Sequence, residues 1–153
     1  SSMPFLSAFT VDETTLPATQ DAAVGLLGGA NWAPDLENEA NEEFVAAYIE
    51  EYGAVPGTYA MQAYDAAQLI DSAVSKVNGD LTDRDALRAA IKEADFDSPR
   101  GDFSFGVNNY PVQDFYLVEA VKRDDGMYGT SVREKIFDVY VDTYADQCQM
   151  DAS

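Results

Sequence analysis

Three aromatic side chains stand at positions from which a protein can hold a small molecule: Phe9, Trp32 and Tyr59. Phe9 ends the strand-like run "PFLSAF", Trp32 ends "AAVGLLGGANW", and Tyr59 opens the helix-like stretch "GTYAMQAYDAAQLIDSAVSKV". Strand ends and helix N-termini are where α/β proteins place ligands. A ring offered there stacks on an apolar or aromatic ligand, worth about 0.5–1.5 kcal/mol beyond the area it buries. Tyr59 falls outside the helical stripe of Ala60, Ala63, Ala67, Ile70, Val74 and Val77, so helix packing does not demand it. For each ring taken singly, core packing is an equal alternative.

Other reactive groupings carry less. The chain has no histidine, which removes Ser-His-Asp and Cys-His catalysis together with the commonest metal ligand. Asp12 and Glu13 are adjacent carboxylates, but no nucleophile, histidine or phosphate-binding glycine loop accompanies them. The acidic run "PDLENEANEE" lacks the alternating ligands, central glycine and terminal glutamate of a calcium loop. It reads instead as a solvated helix start, where acids suit the dipole. Arg100-Gly101-Asp102 is a tripeptide that chance supplies often, and it reads as a turn with solvated charges. Cys148 is a free thiol or half of a bridge whose partner is elsewhere. The chain is therefore read as non-enzymatic, with no cofactor and no metal.

Charge narrows the partners. The net charge is −19, and residues 1–75 contain twelve acids without one Lys or Arg. Such a surface repels phosphate backbones and anionic lipid, so nucleic acid and membrane surfaces are not expected partners. No apolar run reaches the roughly 18 residues that a membrane-spanning helix needs. The start "SSMPFLSAF" lacks a basic n-region and a long h-region, so it is no signal peptide, and its abrupt apolar beginning suggests a fragment or processed piece.

The elements that must position the three rings follow from periodicity. "PFLSAF" reads as a short buried strand, followed by the polar loop "TVDETTLPATQD". "AAVGLLGGANW" is a second strand, in which Gly28-Gly29 marks a bend or a close backbone approach. Asn38 caps a helix carrying Phe44, Val45, Tyr48, Ile49 and Tyr52, which ends at Gly53 before Pro56. The Tyr59 helix follows, with its alanine-to-valine stripe buried and Tyr64 in the core, and ends at Gly79. Thr82 with Asp85 opens a third helix with Leu87, Ala90 and Ile91 inward. From Phe96 the period changes to two. "GDFSFG", "DFYLVEAVKR" (Phe115, Leu117 and Val121 on one face) and "KIFDVYVDT" read as strands, separated by the turns "VNNYP" and "RDDGMYG". The fold class is mixed α/β.

The ordered segments "GANWAPDLENEANEEFVAAYIEEYG", "PGTYAMQAYDAAQLIDSAV" and "DLTDRDALRAAIKEADFDSPRGDFSFGVNNYPVQDFYLVEAVK" resemble the C-terminal part of bacterial extracytoplasmic solute-binding proteins. The type is the one that serves branched-chain amino acid ABC transporters. The resemblance runs over most of residues 4–148, and "NWAPDL" with "AFTVDETTLP" is most similar to members that bind aromatic carboxylates. It implies a two-lobed α/β fold of periplasmic-binding-protein type, with a cleft and three crossover strands, of which this chain is less than half. Residues 1–27 would end the second lobe, 28–97 would be a crossover strand and first-lobe helices, 98–147 strands returning to the second lobe, and 148–153 a tail. The implied cleft lining is Ser7, Ala8, Phe9 and Thr10, then Trp32, then Tyr59. The implied partners are a small-molecule ligand (an aromatic carboxylate, or a branched-chain or aromatic amino acid), an ABC transporter permease and the remaining N-terminal part of the same protein. The implied location is periplasmic. The same fold as the ligand-sensing domain of a signalling receptor is the alternative.

Overall fold

The computed structural model describes residues 5–148. Its elements are β1 (Leu6–Ala8), α1 (Leu16–Thr19), β2 (Leu27–Ala30), α2 (Glu39–Tyr52), α3 (Thr58–Lys76), α4 (Arg84–Glu93), β3 (Ser104–Phe105), β4 (Pro111–Lys122) and β5 (Tyr128–Tyr140). The order is the expected one of strands, helices, then strands. The addition is α1, which replaces part of the expected polar loop and has Pro17 in its first turn, where a missing N–H costs nothing.

The sheet is organised around β4. It pairs antiparallel with β2, β3 and β5, while β1 lies parallel beside β2. Gly28 allows the β1–β2 approach, since a Cβ there would lie 3.1 Å from the Ser7 carbonyl oxygen. Gly29 meets no such crowding. The expected parity of β4 is not observed. Its buried residues are Gln113, Tyr116, Val118 and Ala120, and Phe115, Leu117 and Val121 are only half-buried. Register shifts lie between Gln113 and Phe115, between Phe115 and Tyr116, and between Leu117 and Val118. Each shift places one extra residue on β5, so β4 keeps its own alternation from Phe115 to Val121 and buries the even-numbered side. The strand expected to start at Lys135 begins at Tyr128, so the hairpin turn is shortened to Arg123–Met127, with Gly126 at φ +83°.

Asn38 caps α2 by accepting the Asn41 N–H at 2.9 Å, and Gly53 ends it in the left-handed conformation. For α4 the cap is one residue later than expected. Asp83, not Thr82, accepts the Ala86 N–H at 3.0 Å, while Thr82 donates its hydroxyl to Asp80. Leu87, Ala90 and Ile91 do turn inward.

The alanine-to-valine stripe of α3 is not its buried face. Ala63 and Ala67 are exposed and Ile70 is 58% exposed, whereas Thr58, Met61, Asp65 and Ala73 are buried. Met61 fills a cluster with Trp32, Phe44 and Val45, and Tyr64 packs 4.8 Å from Phe44, centroid to centroid. Neighbours with large side chains select a helix face that small-residue spacing does not reveal. Likewise β1, expected to be buried, leaves Leu6 70% exposed.

A second departure concerns Asp12 and Glu13, which read as loop carboxylates and are both buried. Glu13 accepts the Thr130 N–H at 2.7 Å and its hydroxyl at 2.6 Å, which ties the loop after β1 to β5. Burial raises the Glu13 pKa, and the two Thr130 hydrogen bonds oppose that. A raised folded pKa means that the native state holds the proton more tightly than the unfolded chain. Its stabilising effect is present below the usual glutamate pKa and is lost as pH rises through the folded value. Glu13→Ala is expected to cost about 1–3 kcal/mol by leaving the buried Thr130 N–H unpaired. Glu13→Gln keeps an acceptor, and its stability relative to the parent is expected to improve from acid to neutral pH. Urea melts at several pH values check both; a Gln variant that loses ground as pH rises contradicts the account.

Candidate functional site

The three rings are set by three different pieces of backbone. At the end of β1, Phe9 adopts φ +59°, a left-handed conformation that costs a non-glycine residue energy and swings the chain out of the strand. Phe9 is 44% exposed as a result of that placement in the turn. The turn is held by the Ser7 and Thr10 hydroxyls bonding each other and by Thr10 Oγ1 donating to the Ala8 carbonyl at 3.3 Å. Asp12 then folds the next residues, its Oδ1 accepting the Thr14 N–H at 3.1 Å and the Thr14 hydroxyl at 2.7 Å.

This loop docks on the N-terminus of α3. Gly57, the residue before the helix, carries no side-chain cap, and a Cβ there would sit 2.9 Å from Thr14 Cγ2. Only glycine permits that approach, and it brings the Asp12 carboxylate beside the positive end of the helix. Tyr59, on the first turn, is 69% exposed.

Trp32 is placed differently from the other two. It is 1% exposed, its Nε1 donates to Asn41 Oδ1 at 2.7 Å, and it meets Phe44 edge-on at 6.2 Å. Asn41 in turn donates to the Pro34 and Leu36 carbonyls, so the ring is pinned within the core. Phe9, Trp32 and Thr58 line one recess of about 10 Å³, room for no more than a single water. The structure thus brings Phe9 and Trp32 together, with Thr58 of the α3 first turn beside them. It leaves Ala8 exposed and Ser7 half-buried along the same edge.

Larger space lies next to that recess. A cavity of about 440 Å³, within the range of small-molecule pockets, is bounded by Phe9, Asn31, Phe103, Phe105 and Phe115, with Gln62, Ala66 and Leu69 of α3 as one wall. Its polar floor is a network that sequence reasoning did not find. Arg100 donates through Nε to Asp65 Oδ2 at 2.7 Å and through a terminal nitrogen to Gln113 Oε1 at 2.7 Å. Its other terminal nitrogen lies 2.6 Å from the same Asp65 oxygen. Ser98 Oγ donates to Asp65, and Asn31 Nδ2 donates to Gln113 Oε1 at 3.0 Å. The expectation of solvated charges around Arg100 is therefore corrected: Gly101 does make the turn, at φ +85°, but the Arg100 side chain is spent on a buried carboxylate. Burial pushes the Asp65 pKa up, with Arg100 and Ser98 pulling against it. One signal was available. Asp65 is the lone charge between Thr58 and Ile70, four residues after Met61 and hence on the same helix face.

Among the described residues no group of acidic, histidine or cysteine side chains is arranged to hold a metal ion, and no helix is long and apolar enough to cross a membrane.

The periplasmic binding protein family matches residues 1–126, and the chain belongs to that family. Among solved structures it is similar to an ABC transporter substrate-binding protein from Sphaerobacter thermophilus: 30% identity, TM-score 0.81, covering 90% of this chain and 38% of that one. A solute-binding protein of an ABC transporter from R. palustris, in complex with benzoate, is 32% identical with TM-score 0.74, covering 89% and 38%. Another from the same organism, in complex with 4-hydroxybenzoate, is 27% identical with TM-score 0.75, covering 90% and 38%. The chain thus spans 38% of the length of these structures. No curated protein matches it.

Proposed function

We propose that this chain is part of a non-enzymatic, extracytoplasmic solute-binding protein that captures a small aromatic carboxylate and delivers it to an ABC transporter permease. The observation that carries this reading is membership of the periplasmic binding protein family together with similarity to proteins solved with benzoate and 4-hydroxybenzoate. In this reading residues 1–27 and 98–147 belong to one lobe and 28–97 to a crossover and the other lobe. The ligand enters along the edge formed by Ser7, Ala8, Phe9, Thr10 and Tyr59. Trp32 supports Phe9 from behind.

The physical support is local. Tyr59 holds an exposed ring on a helix start, and Phe9 holds a half-exposed one in a strained turn. The cation nearest in the network, Arg100, is engaged by Asp65 and Gln113. A ligand carboxylate is therefore received by hydroxyls such as those of Ser7 and Thr10, by backbone N–H groups, or by the rest of the polypeptide. Hydrogen bonds to a charged group contribute about 1.5–3 kcal/mol each, so two or three suffice for tight capture.

Titration calorimetry of the complete polypeptide with benzoate, 4-hydroxybenzoate and leucine tests the reading. Binding of the aromatic acids in preference to leucine is expected; no heat and no thermal shift with either acid at millimolar concentration would overturn it. Tyr59→Ala is expected to weaken the aromatic acid about 2- to 12-fold through loss of ring stacking. The unliganded melting temperature should barely move, since exposed substitutions stay within about 0.5 kcal/mol. Large destabilisation with intact affinity would return Tyr59 to a packing role.

A further inference from the structure

Gly57 is a glycine for space and not for backbone freedom. Its φ of −90° and ψ of 172° suit any residue. A Cβ at this position would lie 2.9 Å from Thr14 Cγ2, closer than two carbons pack, and 3.5 Å from Asp12 Oδ2, an ordinary contact. Thr14 cannot turn its methyl aside. Its hydroxyl donates to Asp12 Oδ1 at 2.7 Å and its N–H to the same oxygen at 3.1 Å. A β-branched side chain so tied has no second rotamer that keeps both bonds. One methyl of Thr14 therefore fills the gap between the loop after β1 and the start of α3.

Both sides of this contact are tied to a candidate ligand ring. On the loop side, Thr15 Oγ1 donates to the Thr10 carbonyl at 3.1 Å, and Thr10 adjoins Phe9 in the turn that the Ser7 and Thr10 hydroxyls hold. On the helix side, Tyr59 stands two residues beyond Gly57. The segment between α2 and α3 has little slack to absorb a shift, because Val55, Pro56, Gly57 and Thr58 are all buried. Val55 Cγ1 reaches the start of β5, 3.8 Å from where a Cβ on Gly129 would sit. In the lobe division proposed above, Thr14 and Gly57 come from different lobes.

Resting on the aromatic-acid reading above, we propose that Gly57 and Thr14 are positioning residues whose contact sets the separation between Phe9 and Tyr59, and with it the thickness of ligand that the edge accepts. A flat ring at the separation that suits it keeps its stacking on these side chains. A wider separation forfeits contact with a flat ring, because dispersion falls steeply with distance, and favours a thicker body.

Calorimetry of the complete polypeptide with benzoate and cyclohexanecarboxylate tests this. Both carry a carboxylate on a ring of the same size, flat in the first and puckered and thicker in the second. Gly57→Ala should push the loop away from α3 and weaken benzoate about 2- to 12-fold. Cyclohexanecarboxylate should lose less, so the preference for the flat ring shrinks. Thr14→Ser keeps the hydroxyl and removes the methyl. Combined with Gly57→Ala, it moves the methyl from one side of the contact to the other, and benzoate affinity should return to within about twofold of the parent. A loss shared equally by the two ligands, or one that Thr14→Ser does not repair, is a general disturbance of the fold and overturns the proposal. Should Gly57→Ala give no cooperative melting curve, Thr14→Ser decides alone. Its loop settles closer to Gly57, so the preference for the flat ring should rise, and an equal or smaller preference overturns the proposal. If benzoate binds Gly57→Ala and the parent alike, the positioning role fails while aromatic-acid capture stands. If no aromatic acid binds the parent, the function itself fails and this role falls with it.

Discussion

Arg100→Met is expected to lose about 3–5 kcal/mol of folding stability, the usual consequence of removing one partner of a buried ion pair. The Asp65 side chain is 4% exposed and would keep only the Ser98 hydroxyl. The substitution would also take a donor from Gln113 and release the Phe103 ring, over which the guanidinium lies at 4.3 Å. The expected pH dependence has a definite sign. Burial already raises the Asp65 pKa, and without Arg100 it rises further, so the variant favours the protonated carboxyl. Its deficit relative to the parent should therefore shrink as pH falls toward the usual aspartate range and grow toward neutrality. Arg100→Lys should recover little, because an ammonium cannot reach Asp65 and Gln113 with a planar fork. The double variant Asp65→Leu with Arg100→Met should be more stable than Arg100→Met alone, since no buried charge remains. Urea denaturation of the four proteins checks this. A loss under about 1 kcal/mol for Arg100→Met, or a double variant worse than the single one, would show that Asp65 is rehydrated and not truly buried.

Trp32→Ala should cost a similar amount, about 3–5 kcal/mol, as for other large aromatic truncations in cores. The indole is 1% exposed and joins Phe44, Val45 and Met61, so its removal leaves a cavity where β2, α2 and α3 meet. Trp32→Phe isolates the polar component. It keeps most of the packing but leaves Asn41 Oδ1 without its indole donor, a cost of about 1–3 kcal/mol. The informative comparison is with Tyr59→Ala. If Trp32 acts from behind, its Phe variant lowers the melting temperature while affinity changes little, whereas Tyr59→Ala does the reverse. A Trp32→Phe protein with normal stability and lost affinity would put the indole directly on the ligand.

Local periodicity located most of the helices and strands and misjudged which of their sides face inward. Caps and terminators were legible because they are local chemistry: Asn38 needs only the Asn41 N–H, and Gly53 only its own backbone conformation. The Asp83 cap was displaced by one residue for a local reason too, since Thr82 bonds preferentially to Asp80. The lining of the 440 Å³ cavity was not legible. Asp65, Arg100, Gln113 and Asn31 are contributed by α3, the turn before β3, β4 and the exit of β2, and no spacing in the sequence links them. Two of the three rings singled out by position, Phe9 and Tyr59, hold substantial exposure, while Trp32 does not. All three stand at the end or the start of an element, and position alone does not tell which side of the backbone a ring takes.

The sequence by itself determined the order of strands and helices, the ends of α2, the absence of histidine chemistry and the acidity that repels polyanions. These depend on neighbours a few residues apart or on composition. Only the tertiary structure decided that Met61 and Asp65, not the alanine stripe, face inward, that Tyr116, Val118 and Ala120 are the buried side of β4, and that Glu13 is tethered to Thr130. The physical reason is common to all three. A helix or strand offers several faces of comparable apolarity, and the choice between them is made by partners far along the chain, through a cavity to fill, a charge to neutralise or a hydrogen bond to complete.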